Sequence, residues 1–291
     1  MNRADRVSYR PPYREIRGSR VSGRTMQRFM IRCCLLLSLG FIAGCVLSET
    51  GVASHVSNPR KGTTAMQQEP QLPVYDCPRI AREMSLTGKL DDPLWEKVPV
   101  ARLTHALTGA EPRYCTEARL LCSDTTLYIG FHCEDEYVWS TRTERDSDIW
   151  KEECVEVFIS PAGTLHQYYE INVSPKNVQF DACILNPRVV PGIWKPFRGL
   201  WDYTVEGLRT VVHVEGDLDT PGGAEYWNAE YAIPLDQLIG APHTPPQPGD
   251  QWRLNLYRID SPEPGKQEFY AWSSPGVLDF HTPLRFGILR F

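Results

Sequence analysis

From Val74 to the end of the chain, short runs of residues alternate between apolar and polar side chains, and turn signals close them at roughly ten-residue spacing. Val155-Glu156-Val157-Phe158-Ile159 and Tyr168-Tyr169-Glu170-Ile171-Asn172-Val173 have this form. A period of two places alternate side chains on opposite faces of a strand, whereas a helix needs a period near 3.6. Thr116–Ser123 and Leu127–Glu134 flank the polar turn Asp124-Thr125-Thr126 and read as a hairpin. Further strands are expected over Thr204–Val214, Tyr226–Ile233, Gln251–Asp260, Phe269–Trp272 and Phe286–Phe291. Helical pattern is confined to Asp92–Val98 and Leu235–Ile239. The 24 prolines and 21 glycines suit many short strands joined by turns. Regularly spaced strands without intervening helices predict an all-β fold, an antiparallel β-sandwich of jelly-roll or immunoglobulin-like architecture.

The charge is unevenly placed. Residues 1–44 hold nine Arg against Asp5 and Glu15, whereas the whole chain of 291 residues carries −5. The body beyond residue 44 is therefore strongly acidic and repels phosphate backbones, which argues against nucleic acid as a partner. The basic segment has another reading. Arg28 and Arg32 precede the apolar run Cys33 to Ala43, and Gly44-Cys45 follows. A positive region, a short apolar region and small residues are the parts of an export signal, and the run is too short for a stable bilayer span of roughly 30 Å. Leu39 to Cys45 also resembles a bacterial lipobox, which implies lipid modification at Cys45 and attachment to the cell envelope; an ordinary secretory signal is the alternative. Met26 and Met30 are alternative starts. Residues 1–45 thus read as a signal segment, 46–73 as a polar tether, and 74–291 as one domain.

Cys77, Cys115, Cys122, Cys133, Cys154 and Cys183 remain in that domain. An oxidising compartment permits up to three disulfides among them in fifteen arrangements, with free buried thiols as the alternative. Cys115 and Cys133, on either side of the hairpin turn, are the first expected pair. No Cys-x-x-Cys or Cys/His spacing suggests zinc.

Five segments, in order, resemble the family 9 carbohydrate-binding modules. They are Leu86 to Trp95, the hairpin Ala118 to Ile129, Ile149-Trp150-Lys151-Glu152-Glu153-Cys154-Val155-Glu156-Val157-Phe158-Ile159, Trp227 to Pro234, and His281 to Leu289. Thr87 and Glu153 stand where the family usually has Asp. The resemblance implies a sugar-binding β-sandwich, with an oligo- or polysaccharide as partner. It also implies an aromatic clamp of Trp150 and Phe280, the latter where Trp is more usual, with Glu156 bonding sugar hydroxyls. An Arg used by some members falls at Glu170.

Glu156, Glu170, Asn172, Arg253, Asn255 and Tyr257 sit mid-strand, and Glu156, Glu170 and Arg253 are expected to floor the site together. Glu230 is grouped with that polar face. Trp139, Trp194, Trp201 and Trp272 are candidates to line the same groove, and Trp194 and Trp201, with the Pro- and Gly-rich loop, are the candidate ligand contacts. No cofactor is required. Related modules carry structural Ca²⁺, for which Asp91, Asp92, Asp146 and Asp148 are candidates beside Glu134 and Asp135, although none follows a dedicated calcium spacing.

Two other functions fit the chain. A glycoside hydrolase would use Glu156 with Glu170 or Glu230 as its carboxylate pair. A haem- or protein-binding sandwich would need an axial pair, for which Met84 and scattered His are the candidates. No nucleophile elbow, zinc-protease or phosphate-loop motif is present. If Cys45 carries the lipid, Cys45→Ala should move the protein from the membrane fraction to the soluble fraction on cell fractionation; unchanged partitioning leaves the ordinary signal.

Overall fold

A computed structural model describes residues 71–189 and 196–291. The signal segment with Cys45, the tether up to residue 70, and Trp194 lie outside the described residues. Fourteen strands form within them: β1 (Val74–Asp76), β2 (Ala101–Arg102), β3 (Thr104–His105), β4 (Thr116–Cys122), β5 (Thr126–Glu134), β6 (Cys154–Ser160), β7 (Gln167–Val173), β8 (Gln179–Leu185), β9 (Arg198–Leu200), β10 (Arg209–Gly216), β11 (Ala224–Pro234), β12 (Gln251–Glu263), β13 (Lys266–Ala271) and β14 (Gly287–Arg290). The only helical elements among the described residues are single 3₁₀ turns, two of them at Trp95–Lys97 and Leu235–Gln237, where the sequence carries its helical pattern.

The strands make two sheets. The larger runs β1-β14-β12-β6-β7-β8-β9, with β13 pairing β12 and β3; the smaller runs β10-β11-β5-β4-β2. Pairing is antiparallel except at the edge, where β1 lies parallel to β14. The fold is the expected antiparallel β-sandwich. Strand β8, absent from the expected set, alternates Phe180, Ala182 and Ile184 with Asp181 and Cys183 and sits between β7 and β9.

Alternation assigns the faces. Val155, Val157 and Ile159 of β6 and Leu254 and Leu256 of β12 enter the core between the sheets, meeting Ile129, Phe131, Tyr231 and Ile233 from the smaller sheet. Cys154, Phe158, Tyr168, Phe180, Tyr257 and Ile259 project from the other side of the larger sheet and form a second core there. The smaller sheet's outer face is covered by the segment that holds Met84 and Trp95. Glu230 secures that cover, accepting from the Trp95 indole at 2.9 Å and from the backbone N–H groups of Thr87 and Gly88 at 2.7 and 2.5 Å. It therefore belongs to the sheet away from Glu156 and Glu170, and its oxygens are taken. Met84 is buried in the same layer. Gly130, opposite Glu230 on β5, makes room for this layer: a Cβ there would lie 2.4 Å from Leu90 Cδ2.

The expected Cys115–Cys133 pair does not form. Thr116 stands opposite Cys133, so Cys115 falls beside Glu134, one residue out of phase, and its side chain leaves the opposite face. All six thiols are free, and Cys77 and Cys122 are both buried in the core between the sheets.

An ionic knot joins the sheets at one end. Arg258 of β12 stands opposite Val155 and points inward with it. Its guanidinium donates to Asp135 at 2.7 Å, to the Glu134 carbonyl at 2.9 Å and to Thr116 Oγ1 at 3.0 Å, all on the smaller sheet or its continuation. Asp260, two residues on, lies 3.7 Å away. Glu153, at the start of β6, completes the cluster with neither carboxylate oxygen hydrogen-bonded. Burial, reinforced by Asp135, pushes Glu153 well above the usual carboxylate range, and burial raises Asp260 to about 6 despite Arg258. Removing the cation would leave these acids uncompensated. Arg258→Met should therefore lower unfolding stability by about 3–5 kcal/mol in urea titrations at neutral pH. A loss below about 1 kcal/mol would show that the knot is not needed.

Candidate functional site

The outer face of the larger sheet carries the polar residues that alternation placed there. Glu156 stands opposite Asn172, and Phe158 opposite Glu170, so the two carboxylates sit on adjacent strands and project to the same side. Both are almost fully buried, at 2% and 6% exposure. They line a cavity of about 270 Å³ whose walls are aromatic. Trp150 enters from the 3₁₀ turn at Ile149–Lys151, its ring 4.8 Å from Phe180 in an edge contact. Trp201, just past β9, is 54% exposed and lies 6.0 Å from Phe180. Phe197, Phe269, Phe280 and His281 close the remaining sides.

The polar network on the floor is sparse. Asn172 donates to Glu170 at 3.0 Å, and the Cys154 thiol donates to Glu156 at 3.4 Å. Asn172 Oδ1 is buried with no partner. Burial, followed by repulsion from Glu170, pushes Glu156 well above the usual carboxylate range, and burial raises Glu170 to about 7 against the bond from Asn172. Tyr168 and Phe197 hold His281: the Tyr168 hydroxyl and Nδ1 are 2.8 Å apart, and the Phe197 ring stacks at 3.7 Å. Burial lowers His281 to about 4, so its 3.8 Å approach to Glu170 joins a neutral ring to a carboxyl group at pH 7. Asp279 at the rim is paired with Arg188 at 2.5 Å.

Not every residue singled out from the sequence reaches this cavity. Trp150, Glu156, Glu170, Trp201 and Phe280 line it, and Asn172 adjoins it. Phe280 is nearly buried, stacked on Tyr257 at 4.0 Å and 13°, so one of its faces is already covered. Arg253 shares the sheet face but lies opposite Ser160, four residues along β12 from Tyr257, and its guanidinium donates to the carbonyls of Phe286, Gly287 and Leu284. It ties down the C-terminal segment and is not part of the floor. Asn255 is spent on Ser273, donating to its carbonyl at 2.9 Å and accepting from its N–H at 2.9 Å. Trp139 donates its indole N–H to the Ser261 carbonyl, and Trp272 packs against Tyr75; neither enters the cavity.

The acidic residues named for calcium do not converge. Asp91 accepts from Thr87, Asp92 pairs with Arg82 at 2.6 Å, Asp148 pairs with Lys151 at 2.6 Å, and Asp146 lies 3.7 Å from Arg145. Asp91 and Asp92 belong to the segment over the smaller sheet, while Asp146 and Asp148 precede the Trp150 turn. Among the described residues the carboxylates that do converge are Asp135, Glu153 and Asp260, with ligand atoms within 4.8 Å of one another. Oxygen donors suit a hard cation, but three side chains fall short of the six to eight oxygens calcium takes. The Arg258 guanidinium already occupies their company. The cluster does not fit a calcium ion.

Phe180, Phe197, Phe269 and His281 were not read as site residues from the sequence. Phe180 shares the alternation phase of β8, and His281 immediately follows Phe280, but nothing in the sequence says that these loops fold over the sheet.

A family model described as carbohydrate family 9 binding domain-like matches residues 86–291. A protein of Arthroderma benhamiae named "Extracellular protein" is 30% identical over 174 residues, covering 57% of this chain and 73% of that protein. A crystal structure of a putative carbohydrate-binding protein from Bacteroides uniformis superposes with a TM-score of 0.61 at 15% identity, covering 76% of this chain and 100% of the other. Two structures of a family 9 carbohydrate-binding module from Caldicellulosiruptor kristjanssonii, in complex with glucose and with cellotriose, give TM-scores of 0.52 and 0.53 at 12% identity. Each covers 75% of this chain, and this chain covers 95% and 93% of them. At these identities the structures show a shared fold.

The buried carboxylates make stability depend on pH in a definite direction. The folded state holds protons on Glu170 and Glu156 that the unfolded chain gives up above about 4.5, so their contribution is lost as pH rises toward about 7 and beyond. His281 acts oppositely, losing stability as pH falls from 6.5 toward about 4. Above pH 6.5 only the carboxylate slope remains of these two. Glu170→Gln should flatten the decline in urea midpoint between pH 6.5 and 8, and a slope equal to wild type would contradict the assignment.

Proposed function

The chain belongs to the carbohydrate family 9 binding domain-like family, and from that premise we propose that it is an exported protein that captures the end of an oligo- or polysaccharide in the cavity on the larger sheet. The observation that carries this reading is the pairing of exposed aromatic surface with buried carboxylates in one pocket. Trp150 and Trp201 both contact Phe180, and Glu156 and Glu170 line the same pocket. A pyranose has an apolar C–H face and a rim of hydroxyls. A flat ring covers the face, and carboxylates accept from the rim. A cavity near the lower end of the usual 300–1,000 Å³ range suits one or two sugar units rather than a long groove.

The clamp differs from the expected one. Phe280 offers little free surface, so the second wall is better supplied by Trp201, which is the more exposed ring. Export agrees with the signal-like N-terminal segment and with the name "Extracellular protein" of the Arthroderma benhamiae relative. Attachment through lipidated Cys45 would hold the module at the bacterial envelope, where capture assists polysaccharide breakdown by other proteins. The hydrolase reading needs Glu156 and Glu170 to flank a glycosidic bond. Both instead project from neighbouring strands on one side of the pocket, an arrangement suited to holding a rim of hydroxyls.

Stacking about 80–100 Å² of apolar sugar surface contributes about 2 kcal/mol at 25 cal/mol per Å². Trp150→Ala should therefore weaken retention on the retained glycan by about 30-fold in affinity gels. Trp201→Ala should weaken it less, because its ring is more open to water. Unchanged retention in Trp150→Ala refutes the site, and reducing-sugar release lost in Glu156→Gln would replace binding with hydrolysis.

A further inference from the structure

The cavity is acidic without a matching base. Glu156 and Glu170 line its floor and Asp279 its rim, and among the described lining residues there is no Lys or Arg. Asp279 is neutralised by Arg188. His281 lies against Glu170 but is held neutral by burial. The other polar groups packed around the floor are Cys154, Asn172, Tyr168 and Tyr257. Tyr257 donates to the Phe280 carbonyl at 3.0 Å, and Tyr168 is taken up by His281 and Asn186. That leaves two donors for the carboxylates, the Asn172 amide and the Cys154 thiol. An ionised carboxylate offers about four acceptor positions, so the pair has most of its capacity unused.

The walls add to the bias. Trp150, Phe180 and Trp201 line the cavity, and the negative quadrupole of an aromatic ring face attracts a cation and gives nothing comparable to a neutral hydroxyl. A neutral sugar can use the carboxyls as hydrogen-bonding groups, but it cannot compensate the charge that a carboxyl there takes on when it ionises. A ligand with an ammonium group beside its ring can.

We infer that the preferred ligand of this cavity is an amino sugar with a free, protonated amine, a glucosamine-type unit at the end of a chain that lacks N-acetyl groups. Its ammonium rests on Glu156 and Glu170, and its C–H face lies on Trp150. This rests on the reading of the cavity as a sugar site and specifies which sugar. N-acetylation removes the charge and adds a group that the carboxylate floor does not match. Binding the ammonium also ionises one carboxyl of the floor. Before binding, Glu170 titrates near about 7 and Glu156 well above 4.5, so at pH 6 a proton leaves as the ligand enters.

The test is calorimetric titration of the whole chain at pH 6, in two buffers of different ionisation enthalpy. The probes are the β-1,4 glucosamine trimer, its fully N-acetylated form and cellotriose. The glucosamine trimer should bind at least about tenfold tighter than either neutral trimer, and it alone should release about one proton per site. Glu170→Gln should reduce the ratio of glucosamine-trimer to cellotriose affinity to within about threefold, and Glu156→Gln repeats the test from the other carboxylate. Equal or tighter binding of cellotriose by wild type, or a ratio unchanged in both variants, overturns the amino-sugar inference and leaves the sugar site standing. No binding of any trimer by folded protein overturns both.

Discussion

Among the described residues the Arg258 guanidinium is the one buried cation, set inside the sandwich at the end where β5 runs out, and the acids that gather round it come from both sheets. Asp135 continues β5, Asp260 lies on β12, and Glu153 leads into β6. An unpaired charge of this kind costs several kcal/mol in a protein interior, so the two sheets are held in the one offset that lets the guanidinium meet Asp135, Thr116 and the Glu134 carbonyl together. Trp150 stands in the turn just before Glu153, so the segment that carries this outer-face ring leads directly into the inner-face knot.

The larger sheet is covered on both sides, and the site grows out of that fact. One face packs against the smaller sheet; the other carries a second apolar layer under the segments around Phe197 and Phe280. A carboxylate on such a face is not solvated as it would be on an open sheet. Glu156 and Glu170 are therefore left with little water, few donors and each other, and their raised proton affinity follows from that enclosure. The same enclosure gives a small cavity with aromatic walls. Burial, charge and cavity are consequences of one covering layer.

Much of this could be read along the chain. The alternation in β6 and β7 placed Glu156, Glu170 and Asn172 on one face with Val155, Val157 and Ile171 on the other, and the sheets agree. Arg253 shows the limit of that reasoning. Its phase was right, but its reach was not: four residues along a strand is about 13 Å, and the guanidinium found the carbonyls of Phe286 and Gly287 first. Glu230 fails differently. Its phase is also polar, but β11 belongs to the smaller sheet, and period alone does not say which sheet a strand joins. The Cys115–Cys133 pairing failed on a one-residue offset that places the two side chains on opposite faces.

The local period of the chain was enough to determine most of the longer strands, their faces and much of the inner core, because side-chain direction along a strand is a property of consecutive residues. The ordered motifs from Leu86 to Leu289 were enough to determine the family. Which carboxylates would share a cavity, which aromatic rings would wall it and where the interior cation would sit were decided by strand order and loop packing. Those depend on pairings between residues far apart in the chain, such as Trp150 with Phe180 and Arg258 with Asp135, and no local pattern encodes them.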